Sequence, residues 1–364
     1  MVDNKQITPK PKQEVYNVED EKRKYRKLVA KRALFLGLCV VLLFIVAGVS
    51  LALGSANMSF LDAYAAVLSR AFPSVFHVSS LADTVVWTLR LPRILLAIMA
   101  GAALAMGGCT TQATLRNPIA TPFTLGVSAG AGLGAAIGII LGTGLIQGEF
   151  LIIGNAFLFS LIPVLVILLL IKRRGASPET MILAGVAMVY IFSACTTILQ
   201  YFAESNAVSA TVFWLVGDLS RAAWWQLPYI LGVVVLCVVI NIKLSWDINL
   251  MKMGDDTAKS LGVEVDRTRK IVLITACLST ATVVSFTGAI GFICLVAPHI
   301  CRAFVGGDER FLIVSSGLFG AILLLVADIV ARRLIAPVIL PVGAITAFLG
   351  GPLLLYLLIR RKSY

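Results

Sequence analysis

The chain has 364 residues, 59% of them apolar and only 14% charged, with a mean hydropathy of +0.94. A soluble domain carries about 25% charged residues, so this composition cannot clothe a globule in polar surface and places the chain in a bilayer. The net charge of +12 would suit a nucleic-acid binder, but the placement of the charges explains it better as membrane orientation.

In chain order, residues 1–32 are hydrophilic and carry ten Lys/Arg, seven of them between Lys22 and Arg32. The apolar run at 33–53 follows directly. It exceeds a signal-peptide core and no clear small-residue cleavage site follows it, so it is read as a first spanning helix behind a basic cytoplasmic tail. Further spans are expected near 92–111, 124–145, 150–172, 181–203, 227–246, 270–287, 290–305, 311–333 and 339–359, each close to the roughly 20 apolar residues that cross a bilayer. The fold class is therefore an all-α membrane protein of about ten transmembrane helices, with both termini cytoplasmic and a single membrane domain over 33–364. The span at 290–305 is the shortest and contains Pro298.

Pro92 suits the first turn of its helix, which puts Arg90 just before that turn and Arg93 within it, where cations oppose the helix dipole. Small residues from Gly101 to Gly108 and from Gly126 to Gly138 mark the second and third spans as central, because close backbone approach holds helices together in lipid. A similar group recurs at Gly317, Gly320, Gly343, Gly350 and Gly351. Arg116-Asn117-Pro118 reads as a helix stop. Trp214, Trp224 and Trp225 flank the outer end of the sixth span and fit an interfacial aromatic belt.

The longest cytoplasmic segment, 243–270, contains Gly254 to Val263. There Asp255 or Asp256 is expected to cap a short helix that Gly262 ends, with Ala258 and Leu261 on one face. The pattern fits an ordinary connecting helix as well as an element awaiting a partner. In this threading 25 of the 31 Lys/Arg fall on the cytoplasmic side, leaving Arg70, Arg90, Arg93, Arg221, Arg332 and Arg333 outside. With 13 of the 19 acids also inside, the whole net charge sits on one face, as the preference of basic residues for the cytoplasm requires.

The seven cysteines lack metal-type pairing such as C-x-x-C and read as packing residues, and His77 and His299 are not expected to share a metal. No Gly-x-x-x-x-Gly-Lys-Ser/Thr loop or even a Gly-Lys dipeptide occurs, so any ATP would be bound by another polypeptide. Asp328 is the one candidate intramembrane carboxylate. It reads as an ion pair with Arg332 four residues on, or as the relay of an ion-coupled secondary transporter, the alternative functional class. No paired His, Cys or carboxylate constellation supports a membrane-embedded enzyme.

Several motifs together carry a family resemblance: Arg90-Leu91-Pro92-Arg93, Gln112 to Pro118, Leu125 to Ala131, Phe213-Trp214-Leu215-Val216-Gly217, Gly254 to Val263, Gly288 to Phe292, Ala297 to Arg302, Ala327-Asp328 and Leu340-Pro341-Val342-Gly343. In this order, from about 35 to 360, they resemble the FecCD-type permeases of ABC importers for iron-siderophores, haem and vitamin B12. The chain departs from that pattern at Ile339, where such permeases often have Glu, and at Glu309, where they often have His.

The resemblance implies a non-enzymatic, multi-pass permease of the cytoplasmic membrane, in contact with lipid and not with nucleic acid. Its implied partners are a second permease chain, read as a homodimer, two ATP-binding cassette subunits that hold ATP and Mg, and an extracytoplasmic substrate-binding protein. No cofactor is implied in this chain. Within about 248–269, Gly254, Asp255, Asp256, Ala258, Leu261, Gly262 and Val263 would couple to the ATPase. Arg90, Arg93 and Arg332 would receive glutamates of the binding protein, and Gln112, Arg116, Asn117 and Pro118 would lie along the translocation path.

Overall fold

A computed structural model describes residues 18–53, 59–70, 72–76, 78–174 and 177–360, and among them helix is the only extended regular structure. Helix α1 (Val18–Ala52) carries part of the basic segment straight into the first apolar span, so residues 18–32 are helical and continuous with it. Then come α2 (Phe60–Leu68), α3 (Ser80–Thr84), a π-helical turn (Val85–Arg90) and α4 (Leu91–Thr114). The chain continues through α5 (Val127–Ala136), α6 (Leu151–Arg174), α7 (Pro178–Tyr201), α8 (Ser205–Val216) and α9 (Leu227–Lys243). Two short helices follow, α10 (Ser245–Met251) and α11 (Asp255–Ser260), and then α12 (Val265–Thr287), α13 (Ile293–Val305), α14 (Glu309–Arg333) and α15 (Val342–Arg360).

Among the described residues seven helical runs are long and apolar enough to cross a membrane, and α5, α8, α13 and α15 belong to shorter apolar runs. The ten spans expected from hydropathy fall on α1, α4, α5, α6, α7, α9, α12, α13, α14 and α15. Helix α8 was not anticipated. At 12 residues it reaches about 18 Å, short of the ~30 Å hydrocarbon core, and this is why a 20-residue window passes over it.

Helix α4 is the centre of the bundle, packed against α14, α12, α13 and α9. It meets α14 backbone to backbone at Gly101 and Gly320, where a methyl on Gly101 would lie 2.8 Å from the Ala321 Cα. Contact between the two backbones therefore excludes side chains at this crossing, as expected where lipid offers no hydrophobic drive to helix association. Helix α5 is as buried as expected, but it packs on α6 and α7 instead of sharing the centre.

Two expectations are corrected. Pro92 does not open its helix. The run starts at Ser80, where the Ser79 hydroxyl accepts from the Ala82 N–H, and the π turn at Val85–Arg90, closed by Leu91 N–H to Val86 O, delivers the chain to a proline already inside the helix. Proline removes an intrahelical donor and crowds the preceding turn, and a wider turn accommodates that clash. Trp214 does not belong to an interfacial belt. It is buried in the main apolar cluster, whereas Trp224 and Trp225 are exposed and Trp224 stacks on Trp87.

Candidate functional site

The charged residues sit at opposite ends of the bundle. One end gathers Arg32, Arg116, Lys252, Arg269, Arg302 and Arg310, and is here termed the basic end. The other holds Arg90, Arg93, Asp328 and Arg332.

At that second end, Asp328 is fully buried and both its oxygens are taken: Arg93 Nε donates to Oδ1 at 2.8 Å and Arg332 Nε to Oδ2 at 2.9 Å. The pair with Arg332 is the i,i+4 contact expected from sequence, and the pair with Arg93 ties α14 to α4. Arg90 Nη1 donates to the Leu51 and Ala52 carbonyls, at 2.6 and 3.0 Å, and Arg332 reaches Leu53 O at 2.6 Å and Ser50 Oγ at 2.7 Å. These are the last carbonyls of α1, which lack partners within their helix. The arginines thus act favourably on the carboxyl end of α1, and the expected conflict of Arg90 and Arg93 with the dipole of their own helix does not arise. Two guanidinia share one carboxylate, and Arg93 Nη2 is buried with no hydrogen-bond partner.

Beside this cluster three sequence motifs meet through glycine. Asp218 N–H donates to Thr287 O at 2.7 Å and Gly343 N–H to Gly217 O at 3.3 Å. A methyl on Gly343 would overlap the Val216 carbonyl, and one on Gly217 would lie 2.6 Å from Ala289 O. Gly288, at φ +72°, presses on the Trp214 carbonyl in a backbone state that side chains strain to adopt. The Phe213–Gly217, Gly288–Phe292 and Leu340–Gly343 stretches are therefore three sides of one backbone junction.

At the basic end, α10 packs on α4, α12 and α14 through Ile248, α11 follows it, and polar side chains hold the two. Lys252 Nζ donates to the buried Glu309 carboxylate at 2.9 Å, and Cys109 Sγ lies 3.2 Å from its other oxygen. Asn249 bridges Asp308 and the Glu309 N–H, each at 2.9 Å. Asp308 also accepts from Arg32 at 3.0 Å and Arg310 at 2.6 Å. Burial alone would raise the Asp308 pKa, but the bonds from Arg310 and Asn249 outweigh it and hold the carboxyl down at about 2. Asp255 accepts both oxygens' bonds from Arg269 Nη2, at 2.8 Å each, and pairs with Arg116 at 3.4 Å.

The seven residues expected to couple to an ATPase divide into two faces. Asp256 and Leu261 are exposed, whereas Ala258 and Val263 are buried with Met251 and Val265. Ala258 and Leu261 thus do not share a face, because the helix has already unwound at Leu261. Neither aspartate caps α11; Gly254 occupies that position at φ +119°. Gly262 does end it, with Val263 N–H bonded to Ala258 O and Gly262 N–H to Lys259 O, both at 3.0 Å, the paired bonds of a left-handed helix stop.

Among the residues expected along a path, Gln112 is buried and accepts from Arg302 at 3.2 Å. Arg116, at φ +49°, begins the turn, and the Asn117 side chain accepts from Ile119 N–H at 3.0 Å, with Pro118 exposed between them. His77 lies outside the described residues, and among those described no three His, Cys, Asp or Glu side chains converge on a metal-sized site. Sequence reasoning missed the Arg93–Asp328, Lys252–Glu309 and Arg116–Asp255 pairs.

A model of the FecCD transport family matches residues 40–360. A Methanocaldococcus jannaschii protein assigned as an ABC transporter permease is 42% identical over 94% of this chain and 98% of its own length. The hemin transport system permease protein HmuU of Yersinia pestis is 34% identical, over 91% of this chain and 96% of its own. The vitamin B12 import system permease protein BtuC of Klebsiella pneumoniae is 37% identical, over 76% and 83% respectively. A solved structure assigned to a metal-chelate type ABC transporter, in an inward-facing conformation, aligns with a TM-score of 0.77 at 29% identity, covering 89% of this chain and 98% of the other.

Proposed function

The chain belongs to the FecCD transport family and is the permease subunit of an ABC importer, and we propose that its cargo is an iron chelate, haem or a cobalamin-type molecule. It is a multi-pass protein of the cell membrane, is not itself an enzyme, and pairs with a permease subunit in the transporter. The cargo reading rests on the relatives, whose names cover hemin, vitamin B12 and metal chelates. A homodimer, two ATPase subunits holding ATP and Mg below the basic end, and a substrate-binding protein at the opposite end complete the proposed assembly.

The observation that carries the ATPase contact is the exposed face of α10 and α11. Met253 and Leu261 are large apolar side chains exposed at the charged end of the bundle, and Trp246, also exposed, carries the Arg310 guanidinium 4.0 Å from its ring centroid. Apolar groups presented on short helices among charges form a surface suited to a partner. Docking of a binding protein at Arg90, Arg93 and Arg332 draws support from the surplus of positive charge around Asp328, which an incoming carboxylate would neutralise.

The test is association and cargo binding. The cognate substrate-binding protein is titrated with ferric siderophores, haemin and cobalamin, and is expected to bind one class with clear preference. Its loaded form should stimulate ATP hydrolysis by the complex, and docking should weaken as salt is raised, because the long-range attraction that brings opposite charges together is screened. Arg90→Glu with Arg93→Glu should weaken docking further. Wild-type affinity in that double variant, with the same salt dependence, would show that these arginines serve only the helix ends.

A further inference from the structure

Asp255 belongs to the segment read as the ATPase contact, yet its carboxylate is taken up by two arginines of its own chain. Its neighbour Asp256 is exposed, while Asp255 is engaged from two directions. Arg269, in the first turns of α12, is almost wholly buried and gives Nη2 to both Asp255 oxygens at 2.8 Å. Arg116, the residue at which the chain leaves α4 with φ +49°, pairs with the same carboxylate at 3.4 Å. Gly254 comes within 4.0 Å of the Arg116 guanidinium as well, measured from where its Cβ would stand. One carboxylate therefore joins a short helix to two segments, and one of those is the turn at the foot of the central helix.

The backbone offers α11 few other ties. It is six residues long, stands behind one glycine at φ +119° and ends at another at φ +88°. Its buried apolar contact is a small cluster of Ala258, Val263, Met251 and Val265. Beyond this cluster and the helix-stop bonds at Gly262, its orientation depends on side-chain contacts, and charge-assisted bonds are the strongest of these. We infer that Asp255 is a positioning residue that fixes α11 to the Arg116–Pro118 turn, so that a displacement of α11 is passed to the end of α4 as a rigid movement. The inference rests on the reading of α10 and α11 as the ATPase contact, and it adds the route by which motion leaves that contact. Asp255 and Arg116 thereby act within the chain, and the outward contact falls to Asp256, Leu261 and their neighbours.

The experiment uses the full permease–ATPase complex in lipid nanodiscs. Cys195, the one exposed cysteine among the described residues, is replaced by Ser, and the other six are buried. Spin labels go on Lys259→Cys in α11 and Ile119→Cys in the turn, both exposed positions. In the wild-type background the labels should keep one narrow separation with and without ATP and Mg. Asp255→Asn and Arg116→Gln should each broaden that distribution, Arg116→Gln by about twofold and Asp255→Asn by at least as much, the double variant should be no broader than Asp255→Asn alone, and Asp255→Glu should restore it, as coupled partners require.

Arg116→Gln leaves the buried Arg269 pair intact, so its effect is not a consequence of unfolding α11. An unchanged distribution in both variants, additive broadening in the double, or a wild-type separation that shifts on ATP addition overturns the tie. Mobility of the Lys259→Cys label separates the two levels: if adding the ATPase subunit does not slow it, the contact reading fails and the inference with it. If the label slows and the variants stay narrow, only the tie fails.

Discussion

The two ends of the bundle use charge and glycine in opposite ways. At the end holding Asp328, glycines bring backbone against backbone and the carboxylate is fully enclosed between Arg93 and Arg332. At the basic end, glycines at 254 and 262 bracket a short helix, and its link to the turn after α4 is made by Asp255 and Arg116, side chains that remain partly exposed although Glu309 and Arg269 nearby are buried. The first arrangement has no slack, since any rearrangement would leave buried charge or overlapping backbone. The second can pivot, since water can replace its contacts. A transporter that is driven from one side needs this division, with a fixed frame at the far end and a compliant joint where force enters.

The largest expected effect comes from breaking the frame. Asp328→Leu leaves the Arg93 and Arg332 guanidinia buried without their counter-charge, and losing one member of such a cluster costs about 3–5 kcal/mol. The expected outcome is a sharp loss of folded protein and a lowered thermal midpoint in detergent. A wild-type midpoint would mean that this end is hydrated and compliant too. A smaller loss is expected for Gly343→Ala, whose methyl meets the Val216 carbonyl; overpacking of this kind costs about 1–3 kcal/mol.

Gly262→Val sharpens the contrast from the other side. A β-branched residue in the left-handed state costs about 1–2 kcal/mol locally, so global stability should fall modestly while binding-protein-stimulated ATP hydrolysis falls strongly. Unchanged stimulation would remove α11 from the coupling route.

The smallest effect is electrostatic. The folded Asp308 carboxyl titrates at about 2, below its ordinary 3.8, so its contribution to stability is present in full above the ordinary value and is lost as pH falls toward 2. Thermal midpoints of wild type and Asp308→Asn should differ by a constant amount above pH ~4 and converge below it. A difference that instead grows on acidification would show that the Asp308 contacts do not hold α1 to the basic end.

How far these features could be read in advance follows from the range of the interactions. Span positions depend on local hydropathy, and all ten expected spans fall on helices. Asp328 with Arg332, and the helix stop at Gly262, are contacts within a few residues and were legible for that reason. Arg93 with Asp328 spans 235 positions, and Asp255 with Arg269 spans 14 across a turn. Nothing local distinguishes their partners from other arginines. Pro92 misled because a proline is expected at a helix start, and the π turn that admits it leaves no compositional mark. Trp214 misled because membrane tryptophans are more often interfacial than buried, and only the three-way junction at Gly217, Gly288 and Gly343 explains its burial.

Entry of energy at the basic end, with Asp328 part of the fixed frame, is put to the test by uptake into proteoliposomes containing the permease, the ATPase subunits and the binding protein, with ATP confined to the face bearing residues 254–263. The predicted result is accumulation of the cargo that the binding protein selects, dependent on ATP and unaffected by collapse of the proton gradient. Accumulation on a pH gradient alone, without ATPase subunits and abolished in Asp328→Asn vesicles that retain folded protein, would contradict it and make Asp328 the relay of an ion-coupled carrier.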